Sequence, residues 1–199
     1  MMKKELLHIE KENKSFTSDE VVKTQIMIGH TSRNLTDYLK SLELRHNGKY
    51  KKIPHYVVAE NGDTISLLNP KSPSEFFGNG DIDNNIICVL LENRGWLVPK
   101  KNGKGMCDWL GDIYKGEVFD KKWRNKFFWA IYTDKQVLSL TSLLKQICGD
   151  FNINRNFIGH NVRVSGVKNF KGVVNRSNYS ECFTDLSPAF NFEKIKELL

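Results

Sequence analysis

Two histidines stand where chemistry could be gathered. His30 follows the apolar run Ile26-Met27-Ile28, and His160 follows Phe157-Ile158-Gly159. Both runs read as buried strands, and an open sheet collects its ligands at strand ends. A catalytic metal needs three protein ligands of histidine, cysteine or carboxylate type and one open position for water. Histidines far apart in sequence but on adjacent strands meet that need. A lone histidine near a strand end is more often a hydrogen-bonded structural residue. Cys88, Cys107, Cys148 and Cys182 lie 19, 41 and 34 residues apart with no CxxC pair, so neither a zinc ribbon nor a disulfide framework is indicated.

The elements that must position these residues follow from periodicity. Val21–Ile28 is β-branched and bounded by Gly29, and reads as a strand covered on both faces. Asn34 is a helix cap, and Leu35, Tyr38, Leu39 and Leu42 fall on one face of a helix ending near Asn47-Gly48. His55–Ala59 and Thr64–Leu68 flank Asn61-Gly62-Asp63, a hairpin signal. Residues 69–85 read as loop and Ile86–Leu91 as a buried strand. Residues 94–132 hold all four tryptophans and read as an aromatic-rich insertion, docked by Trp123, Phe127 and Trp129. Thr133 with Gln136 forms a capping box ahead of a helix over 134–149. Asn156–Gly159 reads as a short strand and 161–184 as a long polar loop. Phe192, Ile195 and Leu199 mark a closing amphipathic helix. Strands alternate with helices, so the expected class is α/β: one domain over 21–199, a central mixed β-sheet flanked by α-helices, preceded by an arm over 1–20.

Composition bounds the function. The 199 residues carry a net charge of +7, 40% hydrophobic and 27% charged residues, which excludes a broadly disordered or collagen-like chain. No apolar run approaches the ~20 residues of a membrane helix. The first ten residues lack the apolar segment of a signal peptide, so synthesis in the cytoplasm is expected, with no membrane insertion. The basic balance favours an anionic partner. Acids are interspersed and no basic stripe appears, which argues against nucleic acid.

Six stretches in order resemble a known family. Ile28-Gly29-His30-Thr31-Ser32, His55–Ile65, Asn85–Asn93, Tyr132–Gln136, Ile158-Gly159-His160 and Thr184–Phe192 are similar to motifs of the zinc-dependent N-acetylmuramoyl-L-alanine amidases, the family of phage lysozyme-type amidases and peptidoglycan recognition proteins. The resemblance implies that fold. It also implies hydrolysis of the amide between N-acetylmuramic acid and L-alanine, and a zinc ion on His30, His160 and Asp185. Zinc would lower the pKa of a bound water toward ~7 and polarise the scissile carbonyl. Peptidoglycan or muropeptides would be the partner and the protein a monomer, and the setting would be a phage-type endolysin released to the cell wall at host lysis or an intracellular enzyme.

The chain departs from the family at its helper positions. Pro54, Leu90 and Phe183 stand where family branches carry a tyrosine, a glutamate and a lysine. Glu92 is the nearest substitute base, on the same strand face as Leu90 but about 6.6 Å further along. His55 is a second candidate, as base or oxyanion donor, against an inward structural role. Arg163, Lys168, Lys171 and Arg176 lie between the second and third ligands. Arg176 is the one expected to reach inward. Cys182 is an alternative third ligand, ranked below Asp185. The apolar helper positions keep a second reading open, a peptidoglycan-binding module that does not hydrolyse.

Overall fold

The computed structural model describes residues 21–48, 50–101 and 103–199; the arm expected over 1–20 lies outside the described residues. The central sheet has five strands: β1 (Gln25–His30), β2 (Tyr56–Val58), β3 (Thr64–Ser66), β4 (Ile86–Leu91) and β10 (Gly172–Asn175), in the order β10-β1-β4-β2-β3. β10, β1, β4 and β2 run parallel, and β3 returns antiparallel through the Asn61-Gly62-Asp63 turn. The register places His30 opposite Leu91, at the carboxyl ends of β1 and β4.

Helices cover both faces, because consecutive strand residues point to opposite sides. Ile26, Ile28, Ile87, Val89 and Leu91 meet Val137, Leu140, Leu144 and Ile147 of α3 (Asp134–Asp150) and Ile195 of α5 (Phe192–Leu198). Met27, Ile86, Cys88, Leu90 and Val174 meet Tyr38 and Leu42 of α1 (Leu35–Leu44). Each such fully buried aliphatic side chain contributes ~1.5–3 kcal/mol. The caps are those expected: Asn34 accepts the Asp37 N–H, and Thr133 and Gln136 close a reciprocal box. α1 ends at Leu44, and one 3₁₀ turn with His46 and Asn47 in left-handed conformation carries the chain to Gly48. A four-residue helix, α2 (Gly80–Asp83), interrupts the segment expected to be loop.

Two expectations are corrected. Residues 161–184 are not all polar loop. They contain β10, whose four residues are buried beside β1, followed by the helical turn α4 (Arg176–Tyr179). The expected strand near Asn156 reduces to a single bridge, Phe157 to Val173. Residues 94–132 form a second, antiparallel sheet of β5 (Trp96–Pro99), β6 (Met106–Cys107), β7 (Ile113–Tyr114), β8 (Val118–Trp123) and β9 (Lys126–Ala130), in the order β7-β6-β5-β9-β8. Asn93 joins the two sheets at the end of β4. Its amide donates to the carbonyls of Ala130 and Ile131 and accepts the Gly95 N–H. Trp129 is wholly buried and packs on Trp123, whereas Trp109 and Phe127 are exposed. No helix among the described residues is long and apolar enough to cross a membrane.

Candidate functional site

His30 closes β1 and is buried. Its backbone N–H donates to Asp185 Oδ2 at 3.1 Å. The preceding residue must be glycine for this: a Cβ on Gly29 would lie 2.5 Å from that oxygen and 2.9 Å from Leu90. The His30 ring pairs through Nδ1 with the Tyr132 hydroxyl at 3.1 Å, while Nε2 is buried with no hydrogen-bond partner. Gly95 lies flat against that ring, where a Cβ would be 3.1 Å from Cε1. Burial pushes the His30 pKa down to about 4, opposed by Asp185 and assisted by Arg176, so the ring is neutral at pH 7. In the tautomer whose Nδ1–H donates to the Tyr132 hydroxyl, Nε2 carries a bare lone pair, as in a metal-ligating imidazole oriented by a second partner; in the other tautomer Nε2 carries the proton.

Asp185 is fully buried. Its Oδ1 accepts from Arg176 Nε at 2.9 Å, and its backbone carbonyl accepts the Ser177 N–H at 3.0 Å. The Arg176 guanidinium lies over Phe183 at 4.5 Å and Phe76 at 5.5 Å. His160 is placed differently. Its carbonyl is held by Asn175 and Asn178 amides at 2.7 and 2.8 Å, next to a loop tied by Asn161 to the Leu186 carbonyl. Its imidazole is exposed, and Nδ1 accepts the Val162 N–H at 3.3 Å. The structure thus brings His30, Asp185 and Arg176 together and leaves the His160 ring outside.

The zinc set can be tested against this arrangement. The unpartnered His30 Nε2 suits a metal. Both Asp185 oxygens, however, are engaged, one by a cation, and among the described residues no group of three His, Cys, Asp or Glu side chains is placed to hold a metal ion. As they lie, the three residues do not fit one ion. Cys182 is exposed and pairs with Ser180.

The two substitute catalytic candidates have other work. Glu92 Oε1 accepts the Leu35 N–H at 2.7 Å, at the start of α1, and Oε2 accepts the Glu60 N–H at 2.9 Å, at the β2–β3 turn. Its carboxylate holds two backbone turns. His55 is wholly buried, with Nδ1 accepting the Cys88 N–H at 2.8 Å and Nε2 donating to the Ser72 carbonyl at 2.9 Å. Burial, with Lys23 adding to it, lowers its pKa to about 3. Neither nitrogen is available to a substrate.

A cleft of about 190 Å³ opens beside His30. Arg33, Arg45, Lys52 and Arg176 line it with Tyr38, Tyr50 and Trp109, and no Asp or Glu is among its lining residues. Trp109 comes from the second sheet. Its Nε1 donates to the Ser32 carbonyl at 2.8 Å, and the Arg33 guanidinium lies over its ring. Arg94 pairs with the buried Asp108, which in turn accepts the Leu110 and Asp112 N–H groups, so the Trp109 turn is fixed. Arg124, at the β8–β9 turn, donates to the Ser180, Phe183 and Asn161 carbonyls. The second sheet therefore walls the cleft and grips the loops around Asp185. Sequence reasoning missed Tyr132, Gly95, Arg33, Arg45 and Lys52. Only Tyr132 had a local cue, its place just ahead of the Thr133 cap.

The model of the N-acetylmuramoyl-L-alanine amidase family matches residues 19–172, ending ahead of Arg176 and Asp185. No curated protein sequence matches. Among solved structures, the chain is similar to AmiD from E. coli in complex with the substrate anhydro-N-acetylmuramic acid-L-Ala-D-γ-Glu-L-Lys. The TM-score is 0.55 at 17% identity, covering 89% of this chain and 57% of that one. It is similar to the N-acetylmuramoyl-L-alanine amidase LysC from Clostridium intestinale, at TM-score 0.55 and 12% identity over 93% and 92% of the two chains. It is also similar to AmpDh3 from Pseudomonas aeruginosa in complex with anhydromuramic pentapeptide, at TM-score 0.54 and 12% identity over 94% and 64%. These likenesses establish a shared fold. The family match covers most of the chain, His30 and the joined strand ends included, and on it the chain belongs to the N-acetylmuramoyl-L-alanine amidase family.

Proposed function

We propose that this chain binds peptidoglycan stem peptides in the basic cleft and hydrolyses the amide between N-acetylmuramic acid and L-alanine. One observation carries the reading: four cations and no carboxylate line a cleft that opens at His30, on a fold shared with amidases whose structures hold muropeptides. A stem peptide carries free carboxylates, and guanidinium groups match carboxylates with paired N–H donors. Arg33, Arg45 and Lys52 would seat those carboxylates, and Trp109 would exclude water from one side. Tyr132 would hold the His30 tautomer. Zinc belongs to the proposal as the family's metal, with His30, His160 and Asp185 as its donors. It would supply an activated water and a polarised carbonyl. The donors as placed do not close around one ion. Lytic action on the cell wall, as by a phage-type endolysin, is part of the same proposal.

Incubation with muropeptides, followed by mass spectrometry, tests it. Free stem peptides with an L-alanine amino terminus are expected. Their absence, under conditions where another member of the family cuts the same sample, refutes hydrolysis. A second reading, binding without cleavage, has support in the apolar Leu90 and Phe183 at helper positions and in the Arg176–Asp185 pair. Muropeptide binding by calorimetry without product would favour it.

A further inference from the structure

The positive charge of the chain is not spread evenly. Residues 94–132, the second sheet and its turns, hold nine Lys and Arg against four Asp and Glu, a net of +5 out of +7 for all 199 residues. Of those acids, Asp108 is buried and paired with Arg94, which also lies 3.6 Å from Asp112. Among the described residues, Lys100, Lys101, Lys115, Lys121, Lys122 and Lys126 pair with no carboxylate. Like charges gathered this way repel one another, so they weaken the sheet unless an anion joins them. Three cations are held over aromatic rings: Lys126 at 3.5 Å from the centre of Trp96, Arg124 at 4.4 Å from Trp123 and Lys122 at 5.7 Å from Phe127. A ring positions a cation without cancelling its charge.

The topology gathers these groups. β5 and β9 are antiparallel, so the β5–β6 turn, with Lys100, Lys101 and Lys104, and the β8–β9 turn, with Arg124, leave the sheet at the same end. Lys122 and Lys126 flank the second of these turns. That end adjoins the candidate site, since Arg124 donates to the Ser180, Phe183 and Asn161 carbonyls. A groove of about 460 Å³ opens there, between Trp123, Arg124 and Asn125 on the sheet and Asn161 and Arg163 after His160, with Glu181 also lining it. The cleft and this groove border the same segment, 176–185, the cleft at Arg176 and the groove at Glu181. The cations differ in kind as well. Three of the four in the cleft are arginines, whose fork matches one carboxylate, whereas seven of the nine in 94–132 are lysines, point charges that set no geometry. The cleft suits one defined stem, and the sheet suits carboxylates repeated at variable distances. A lipid surface would need bare hydrocarbon, but the Trp96 and Phe127 rings lie under ammonium groups.

We propose that the lysine-bearing end of the second sheet is a docking surface for polymeric peptidoglycan. Stems neighbouring the one in the cleft lay their carboxylates on these lysines, and the strand passes along the groove. The proposal rests on the reading of the cleft as the stem-peptide site. It makes the intact polymer the preferred ligand, because contacts linked along one strand multiply in affinity while a single muropeptide reaches the cleft alone.

The test is co-sedimentation of the full chain with purified sacculi freed of other polymers, at low temperature and over a range of salt. Lys101, Lys121 and Lys122 are exposed, and Lys101→Gln/Lys121→Gln/Lys122→Gln should weaken binding at least about tenfold and flatten its salt dependence. Lys135→Gln/Lys145→Gln/Lys168→Gln removes the same charge from exposed sites elsewhere and should stay within about twofold of native. Thermal unfolding verifies that both variants fold. Calorimetry with a single muropeptide should give both the native affinity. Coupling the sacculus carboxylates to a neutral amine should abolish the difference between the native chain and the sheet variant. Equal losses by the two triple variants, no loss by the first, or a difference that survives the coupling overturns the proposal. A sheet variant that binds sacculi as the native chain does, but has lost binding to anionic phospholipid vesicles, also overturns it and makes the surface a membrane contact. Sacculus binding that depends on these lysines, without muropeptide binding in calorimetry, supports the docking surface and refutes the cleft reading alone. None of these readouts requires hydrolysis.

Discussion

Two buried histidines at the same sheet have opposite fates. His55 enters β2 with both nitrogens satisfied, one by the Cys88 N–H and one by the Ser72 carbonyl. His30 ends β1 with one nitrogen on Tyr132 and the other buried without a partner. Both are held neutral by burial. Residue type, burial and protonation state therefore do not separate His55 from His30. The unmet hydrogen bond does. Buried polar groups are nearly always paired, so the orphan nitrogen is what sets His30 apart from His55, and the binding role proposed for His30 rests on it.

Mutation should separate the two most sharply. His55→Ala leaves an N–H and a carbonyl unpaired in the core and opens a cavity, so a loss of about 3–5 kcal/mol in urea unfolding is expected. His30→Ala removes one hydrogen bond and some packing, and about 1–2 kcal/mol is expected, yet muropeptide cleavage should vanish. Similar stability losses from the two variants would break the comparison.

Acid should act on both in the same direction. Each folded-state pKa lies below the unfolded value of ~6.5, at about 4 for His30 and about 3 for His55. The unfolded chain then binds protons that the folded chain refuses, so stability is full above pH ~6.5 and is lost as pH falls toward these values. Each histidine contributes up to about 1.4 kcal/mol per pH unit in that window. The urea midpoint should fall between pH 6.5 and about 4. A midpoint flat across that range would mean that neither ring is held neutral.

How far these roles could be read in advance depended on whether the determinants are local. β1 and β4 are continuous apolar runs, and α3 carries its cap and its stripe in its own residues, so all three were legible. β10 has two valines between Gly172 and Asn175, too short a signal within a polar stretch. The second sheet interleaves lysines and aromatics over strands as short as two residues, which hides period two. At the site, His30 and Asp185 were visible through motif resemblance. Tyr132, Arg33, Arg45 and Lys52 converge from three segments, and nothing local announces that. The contacts of Glu92 were hidden for a comparable reason. Strand alternation indicated which side of the sheet it shares with Leu90, but not that Leu35 and Glu60 would each bring an N–H to its carboxylate.

A smaller effect should come from the floor beneath His30. Gly29→Ala puts a Cβ onto Asp185 Oδ2 and Leu90, with no room to relax between strands on both sides. Overpacking of this kind costs about 1–3 kcal/mol. Displacing Asp185 by about an ångström should lower activity by about 10²-fold. An alanine variant with native activity would show that Asp185 need not touch β1.

The least effect is expected at Glu92, and it tests whether the contrast between structural and functional groups extends beyond histidine. Glu92→Gln keeps the shape and one carbonyl acceptor but loses the charge that faces two backbone N–H groups. Weakening a charged cap of this kind costs about 0.5–1.5 kcal/mol. If Glu92 only holds the start of α1 and the β2–β3 turn, kcat/KM for muropeptide should stay within about twofold of native once the variant is folded. A fall of several orders of magnitude, with stability little changed, would return Glu92 to the reaction as the water's base. It would also show that a carboxylate with both oxygens engaged in the free chain can be released by substrate.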